Sequence, residues 1–143
     1  MTSYRFDNVL VAIDGSEGAD RALDCALSLV SRLGGRLTAL AVEGKLPAYA
    51  ASIGEVDEVK REKDSIFRNV LDVAKGQAQE HGVELATDLV PGHAAEVIVR
   101  YAKAHGHDLI VIGHRGHFLG DYLLGSTADR VAHHAHCPVM IVK

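Results

Sequence analysis

The chain has 143 residues, of which 48% are hydrophobic and 24% are charged, and its formal net charge is −4 at pH 7. This size and composition are typical of a globular protein with a buried core, and we expect a single domain over residues 1–143. The net negative charge argues against nucleic acid or an anionic membrane as a partner, because both usually require a basic face. Two cysteines are too few for a disulfide framework, and no apolar run is long enough for a signal peptide or a membrane span. We therefore expect a cytoplasmic protein.

Apolar runs alternate with helical patterns in the first third of the chain. Residues 8–13 are apolar almost throughout, which is typical of a strand covered on both faces. Ser16 predicts the N-cap of the first helix, in which apolar residues recur at helical spacing until Leu33. Residues 37–42 form the second predicted strand, and residues 43–54, which show no period, are interpreted as a loop.

The rest of the chain continues this alternation. A long helix is predicted from Glu55 to about Glu80, and its buried stripe is expected to comprise Val56, Val59, Ile66, Val70 and Ala74. Residues 83–90 alternate between apolar and polar, which predicts a half-exposed edge strand. The remaining predicted elements are a helix over residues 94–102, a strand over 108–112, a short helix over 126–134 and a strand over 139–142.

Strands that alternate with helices predict an α/β fold with a parallel sheet and right-handed crossovers. We expect a doubly wound, Rossmann-like sheet of five parallel strands in the order 3-2-1-4-5, with helices on both faces. In such sheets, ligands bind beyond the C-terminal ends of the strands, where the strand order reverses. The loops after the first and fourth strands are therefore the candidate site.

Glycines punctuate the loop after the fourth strand. Gly113 and Gly116 would let a ligand approach the backbone closely, because no Cβ intervenes. Gly125 precedes a helix whose free N–H groups and positive dipole end suit phosphate oxygens. Further groups for phosphate would come from Arg115, Ser126 and Thr127. A turn followed by an ordinary helix cap is the alternative interpretation of the same residues.

Three segments resemble the universal stress protein family. They are VLVAIDGSEGADRAL at residues 9–23, DLIVIGHRG at residues 108–116 and LLGSTADRVAHHAHCPVMIV at residues 123–142. The ATP-binding members of that family carry the motif G-x2-G-x9-G-[ST]. The corresponding residues here read Gly113-x2-Gly116-x8-Gly125-Ser126, which is one residue shorter between the second and third glycines. The resemblance implies that the chain binds ATP, with Mg²⁺.

The resemblance also implies where the nucleotide would contact the chain. Asp14 would lie by the adenosine or the ribose, Val42 would offer its backbone to adenine, and Ala12 would lie near the base. An aspartate before a glycine at a strand end is often only a turn residue, so both interpretations of Asp14 stay open. The full predicted set is Ala12, Asp14, Val42, Ile112, Gly113, His114, Arg115, Gly116, Gly125, Ser126 and Thr127.

Neither a catalytic set nor a metal site is predicted. The chain has no P-loop, no G-x-G-x-x-G after the first strand and no G-x-S-x-G elbow. Its nine histidines include no pair at the i,i+4 spacing of a helical zinc site. His133 and His134 are interpreted as complementing the dipole at the end of the last helix.

A nucleotide-dependent stress-response regulator is therefore favoured over an enzyme. An adenylyl-transfer enzyme would carry its HxGH motif after the first strand, whereas the similar residues 114–117 follow the fourth. A phospho-accepting receiver domain would need paired acids near the end of the first strand. A module of the same fold that binds no nucleotide, and slow ATP hydrolysis, stay open as alternatives.

The last predicted strand suggests how the protein assembles. Val139–Val142 is apolar throughout and is expected at an edge of the sheet. Bare apolar edges are usually covered or paired, and members of the resembling family commonly dimerise through this strand. We therefore expect a homodimer, together with a signalling partner that the sequence does not name.

Overall fold

The computed structural model describes residues 3–44, 53–114 and 124–143. Its strands are β1 (Asn8–Ala12), β2 (Arg36–Glu43), β3 (Leu85–Pro91), β4 (Leu109–Gly113) and β5 (Val139–Val142). Its helices, within the described residues, are α1 (Glu17–Leu33), α2 (Ile53–Glu80), α3 (Ala94–Ala104) and α4 (Ser126–His134). The strands form one five-stranded sheet in the order β3-β2-β1-β4-β5, and all neighbouring strands are parallel. The predicted fold class and strand order are confirmed.

Successive side chains of the central strand point to opposite faces of the sheet, and both faces are covered. Val9 and Val11 pack with side chains of α1 and α2, whereas Leu10, between them, packs with α3 and α4. All three residues are fully buried. A nearly unbroken apolar run is what such a doubly covered strand requires, and the sequence showed that run.

The first helix begins at the predicted cap. The Ser16 hydroxyl oxygen accepts a hydrogen bond from the Ala19 N–H at 3.2 Å, which satisfies one of the donors that a helix start leaves unpaired. The helix ends where the Gly34 N–H donates to the Val30 carbonyl at 2.9 Å. Gly34 has a φ of 75°, which glycine adopts readily. Both ends of α1 therefore follow from local sequence.

The predicted buried stripe of α2 is partly wrong. Ile66 is 61% exposed, whereas Leu71 (7% exposed), Ala74 (1%) and Ala78 (1%) face the core. Ile66 lies five residues before Leu71, a spacing that turns it about 140° round the helix from Leu71 and away from the sheet, since 3.6 residues make one turn. The helix also begins at Ile53, two residues inside the segment interpreted as a loop. Residues 45–52 of that segment, and the side chain of Val56, lie outside the described residues.

The other predicted elements are observed with small shifts of their ends. Strand β3 is at the edge of the sheet and is half-buried along most of its length, as the alternating pattern predicted. Helix α4 and strand β5 have the predicted bounds. Among the helices of the described residues, none combines the length and the apolar character that a membrane crossing needs.

Candidate functional site

The candidate site lies where β1 and β4 end side by side. Their last paired residues are Val11 and Val111, and the chain then continues into Ala12 on one strand and Ile112 on the other. On its other side, β1 pairs with β2. The chain order of the strands therefore reverses at β1, which has β2 on one side and β4 on the other. This is the switch point at which doubly wound sheets bind ligands.

Three of the predicted residues form an apolar wall at the strand ends. The side chains of Ala12, Val42 and Ile112 belong to the core cluster on the α3 and α4 face of the sheet. Ile112 is 6% exposed, whereas Ala12 and Val42 are only half-buried. Half-buried apolar side chains at the mouth of a crevice suit a flat apolar group such as a nucleobase.

Asp14 is exposed and stabilises its own turn. One carboxylate oxygen, Oδ1, accepts a hydrogen bond from the Ser16 N–H at 2.9 Å. Gly15, between them, has a φ of 84°. The interpretation of Asp14 as a turn residue is therefore correct as far as Oδ1 is concerned. Within the part of the chain that the structure describes, no second hydrogen bond engages this carboxylate, so Oδ2 can accept a donor from a ligand.

Gly113 has a packing role that the sequence did not reveal. A Cβ placed on Gly113 would lie 2.8 Å from the backbone carbon and oxygen of Gly18, in the first turn of α1. The missing side chain therefore lets the start of α1 approach the end of β4. This contact accounts for Gly113 by packing, and the close approach of a ligand stays a prediction. Gly18 is the residue that sequence reasoning missed; its only signal was a small residue beside a predicted helix start.

The structure fixes both ends of the glycine-punctuated loop. The His114 N–H donates to the Val142 carbonyl of β5 at 2.8 Å, and the Gly125 N–H donates to the His114 carbonyl at 2.9 Å. His114 thus connects the end of β4, the end of β5 and the start of α4. Arg115 and Gly116, which belong to the predicted set, lie outside the described residues.

Helix α4 presents free donors at the end that faces this loop. Its cap residue, Gly125, has no side chain to accept from the helix, and its own N–H is already bound to His114. The first helical bond runs from the Asp129 N–H to the Gly125 carbonyl at 2.9 Å. Among the described residues, nothing accepts from the N–H groups of Ser126, Thr127 and Ala128. These amides, rather than that of Gly125, are available to an anion.

Comparison with known proteins identifies the family of this chain. The model of the universal stress protein family matches residues 5–143. The chain belongs to the universal stress protein family. It is 34% identical over 147 residues to "Universal stress protein YxiE" of Bacillus subtilis, in a match that covers 96% of this chain and 99% of that protein.

Solved structures of the same family share the fold. "Universal stress protein UspA from Lactobacillus plantarum" aligns with a TM-score of 0.85 and 27% identity, covering 99% of this chain and 100% of that one. A universal stress protein solved in complex with cAMP aligns with a TM-score of 0.74 and 25% identity, covering 94% of this chain and 95% of that one. That second protein carries an adenine nucleotide on this fold.

The histidines of this universal stress protein do not gather into a metal centre in the part of the chain that is described. Over residues 3–44, 53–114 and 124–143, no three His, Cys, Asp or Glu side chains are placed to hold a metal ion. His133 lies in the last turn of α4, and its Nδ1 is 2.8 Å from the Asp129 carbonyl oxygen, to which it can donate.

Burial raises the pKa of the Cys137 thiol, which disfavours the reactive thiolate.

Proposed function

We propose that this universal stress protein binds ATP, with Mg²⁺, in the crevice between the ends of β1 and β4. The observation that carries the proposal is the start of α4, where the amides of Ser126, Thr127 and Ala128 have no acceptor among the described residues. A helix start with free amides attracts phosphate oxygens through both its hydrogen-bond donors and its dipole. The start of α4 is bonded to the residue after β4, and Asp14 follows the neighbouring strand β1, so we place the nucleoside on the β1 side, by Asp14 and the apolar wall.

The remaining predicted residues take roles along the same crevice. We assign Ala12, Val42 and Ile112 to the base, Asp14 to the ribose, and Ser126 and Thr127 to the phosphates. Arg115 and Gly116 complete the phosphate loop in this proposal, and the backbone bonds of His114 and Gly125 hold its two ends. The related structure in complex with cAMP supports an adenine nucleotide as the ligand class.

A regulatory role is favoured over catalysis. Phosphoryl transfer relies on cations and metal-binding acids around the transferred phosphate. The chain has no lysine between Lys103 and Lys143, so Arg115 is the cation that lies nearest in sequence to the glycines of the phosphate loop. We therefore propose a nucleotide-dependent switch, in which one domain over residues 1–143 changes its surface when ATP binds.

Isothermal titration calorimetry with Mg-ATP tests the binding proposal. We expect the unmodified protein to bind, and Asp14→Ala to weaken binding by roughly 10- to 100-fold, since a hydrogen bond to a charged group contributes about 1.5–3 kcal/mol. Asp20→Ala is the matched control, because Asp20 is an exposed acid in the first turn of α1. Absence of binding at millimolar nucleotide would refute the proposal. Equal weakening by both substitutions would remove the assignment of Asp14.

We also propose that the protein is a homodimer that pairs through β5. This strand bonds to β4 on one side, and its other edge is unpaired among the described residues. Its four residues are only half-buried although all are apolar. Light scattering should give a dimeric mass that Ile141→Lys lowers to that of a monomer. The control is Ala86→Lys on β3, an exposed position at the opposite edge; a dimer that survives Ile141→Lys would contradict the proposal.

A further inference from the structure

The stripe of α2 that faces the sheet changes from apolar to ionisable at Asp64. Leu71 and Ala74 are buried against the sheet. Positions three and four residues apart share a helix face, so the same stripe continues toward the start of the helix through Asp64, Lys63 and Lys60. Asp64 and Lys63 are half-buried. Charged side chains therefore take part in the contact between residues 58–66 of α2 and the sheet.

Glu43 meets this charged part of the stripe from the sheet. It is the last residue of β2 and is 7% exposed. Its side chain points to the same face as those of Ala39 and Ala41, which lie in the core beneath α1 and α2. The Glu43 and Asp64 side chains line the same pocket, and their carboxyls are close enough for one to hydrogen-bond to the other. An ionised carboxylate can only accept, so a direct bond between the two requires a proton on one of them.

The surroundings favour that proton. Burial raises the pKa of Glu43, and the hydrogen bond and negative charge of Asp64 raise it further, while the positive charges of Lys60 and Lys63 act in the opposite direction. Arg68 of α2 lines the same open pocket. On the β3 side, Thr87 and Leu89 line the pocket without charge. Asp88, the remaining charged residue of that lining, accepts from the Tyr101 hydroxyl.

We propose that Glu43 and Asp64 form a proton-dependent clasp that docks the N-terminal half of α2 onto the end of β2. With a proton bound, the two carboxyls hold the helix to the strand. Without it, the buried Glu43 carboxylate faces a second negative charge on Asp64, and the docking weakens. A carboxyl whose pKa is raised on docking stabilises the docked state at low pH. This stabilisation is lost as the pH rises from 4.5, the ordinary pKa of a glutamate, through the raised pKa of Glu43.

Hydrogen–deuterium exchange of the full chain, read by mass spectrometry and corrected for the intrinsic effect of pH, tests the clasp. Peptides that cover residues 58–66 should be more protected at about pH 5 than at about pH 8. The protection factor should change by up to about tenfold for each unit by which the pKa is raised. Peptides of α3 serve as an internal reference, because α3 lies on the opposite face of the sheet.

Neutral isosteres separate the clasp from general effects of pH. Glu43→Gln should protect residues 58–66 to the same extent at both pH values. Asp64→Asn should reduce the dependence on pH without abolishing it, because burial still raises the pKa of Glu43. Glu58→Gln is the matched control, since Glu58 is an exposed acid on the same helix, and it should behave as the unmodified protein does. The clasp is ruled out if the unmodified protein shows no difference between the two pH values, or greater protection at high pH. It is equally ruled out if Glu43→Gln retains the dependence, or if Asp64→Asn leaves it undiminished.

Discussion

Substituting Gly113 with alanine should destabilise the protein before any nucleotide is added. The new methyl group would lie 2.8 Å from the backbone carbon and oxygen of Gly18. Neither atom can move by a change of rotamer, so α1 or β4 must shift. Forcing an extra carbon into a packed site costs about 1–3 kcal/mol. With an unfolding entropy of about 0.3 kcal/mol per kelvin for a chain of this length, the midpoint of thermal unfolding should fall by about 3–10 °C.

Differential scanning calorimetry of the nucleotide-free protein measures this loss, and Gly76→Ala is the control. Gly76 lies in α2, and a Cβ there would meet nothing within 4 Å. Replacing a glycine inside a helix by alanine should leave stability unchanged or raise it by up to about 1 kcal/mol. If Gly113→Ala unfolds at the same temperature as the unmodified protein and loses only nucleotide affinity, the packing argument is wrong. The glycine would then be required by the ligand.

Two further predictions concern titratable side chains that the proposed site does not use. The Nδ1 of His107 donates to the Asn8 carbonyl at 3.3 Å, and burial lowers the pKa of this histidine. The contribution of the neutral His107 to stability is therefore complete above pH 6.5, the ordinary pKa of histidine, and declines as the pH falls below that value. Urea denaturation should show that the difference in unfolding free energy between the unmodified protein and His107→Gln shrinks with acidification, whereas a constant difference would contradict this. Burial and the hydrogen bond to Asp88 raise the pKa of Tyr101 to about 12. An ultraviolet titration should therefore show one phenol that ionises at unusually high pH, and Tyr101→Phe should remove that ionisation. If the ionisation persists in Tyr101→Phe, it belongs to another tyrosine.

The sequence predicted the fold well because the decisive signals were local. The apolar runs of β1 and β4 belong to strands that are buried on both faces, and Ser16 caps α1 by contacts within its own turn. The stripe of α2 was harder to predict, since Ile66 is apolar yet faces solvent. Asp64, which is charged, is half-buried and lines the same pocket as Glu43 at the end of β2. A pattern of apolar residues alone cannot reveal a contact between two carboxyls that are distant in sequence.

The residues of the candidate site could be found from the sequence, but some of their contacts could not. Glycine spacing led to Gly113 and Gly125. The structure shows that Gly113 faces the backbone of Gly18 and that the Gly125 amide is bound to His114. Both contacts depend on how α1 and α4 pack against β4, which no local pattern specifies. The phosphate role stays a proposal, and the helix start that the sequence already suggested for it is the part of the loop whose amides are free among the described residues.

The two hydrogen bonds of His114 connect the proposed binding site to the proposed dimer strand. Its N–H donates to the Val142 carbonyl of β5, and its carbonyl accepts from the Gly125 N–H at the start of α4. The position of the α4 amides therefore depends on β5 remaining paired with β4. A partner subunit that pairs with the outer edge of β5 would hold that strand in register. It would thereby stabilise the start of α4 without placing any of its own residues near the nucleotide.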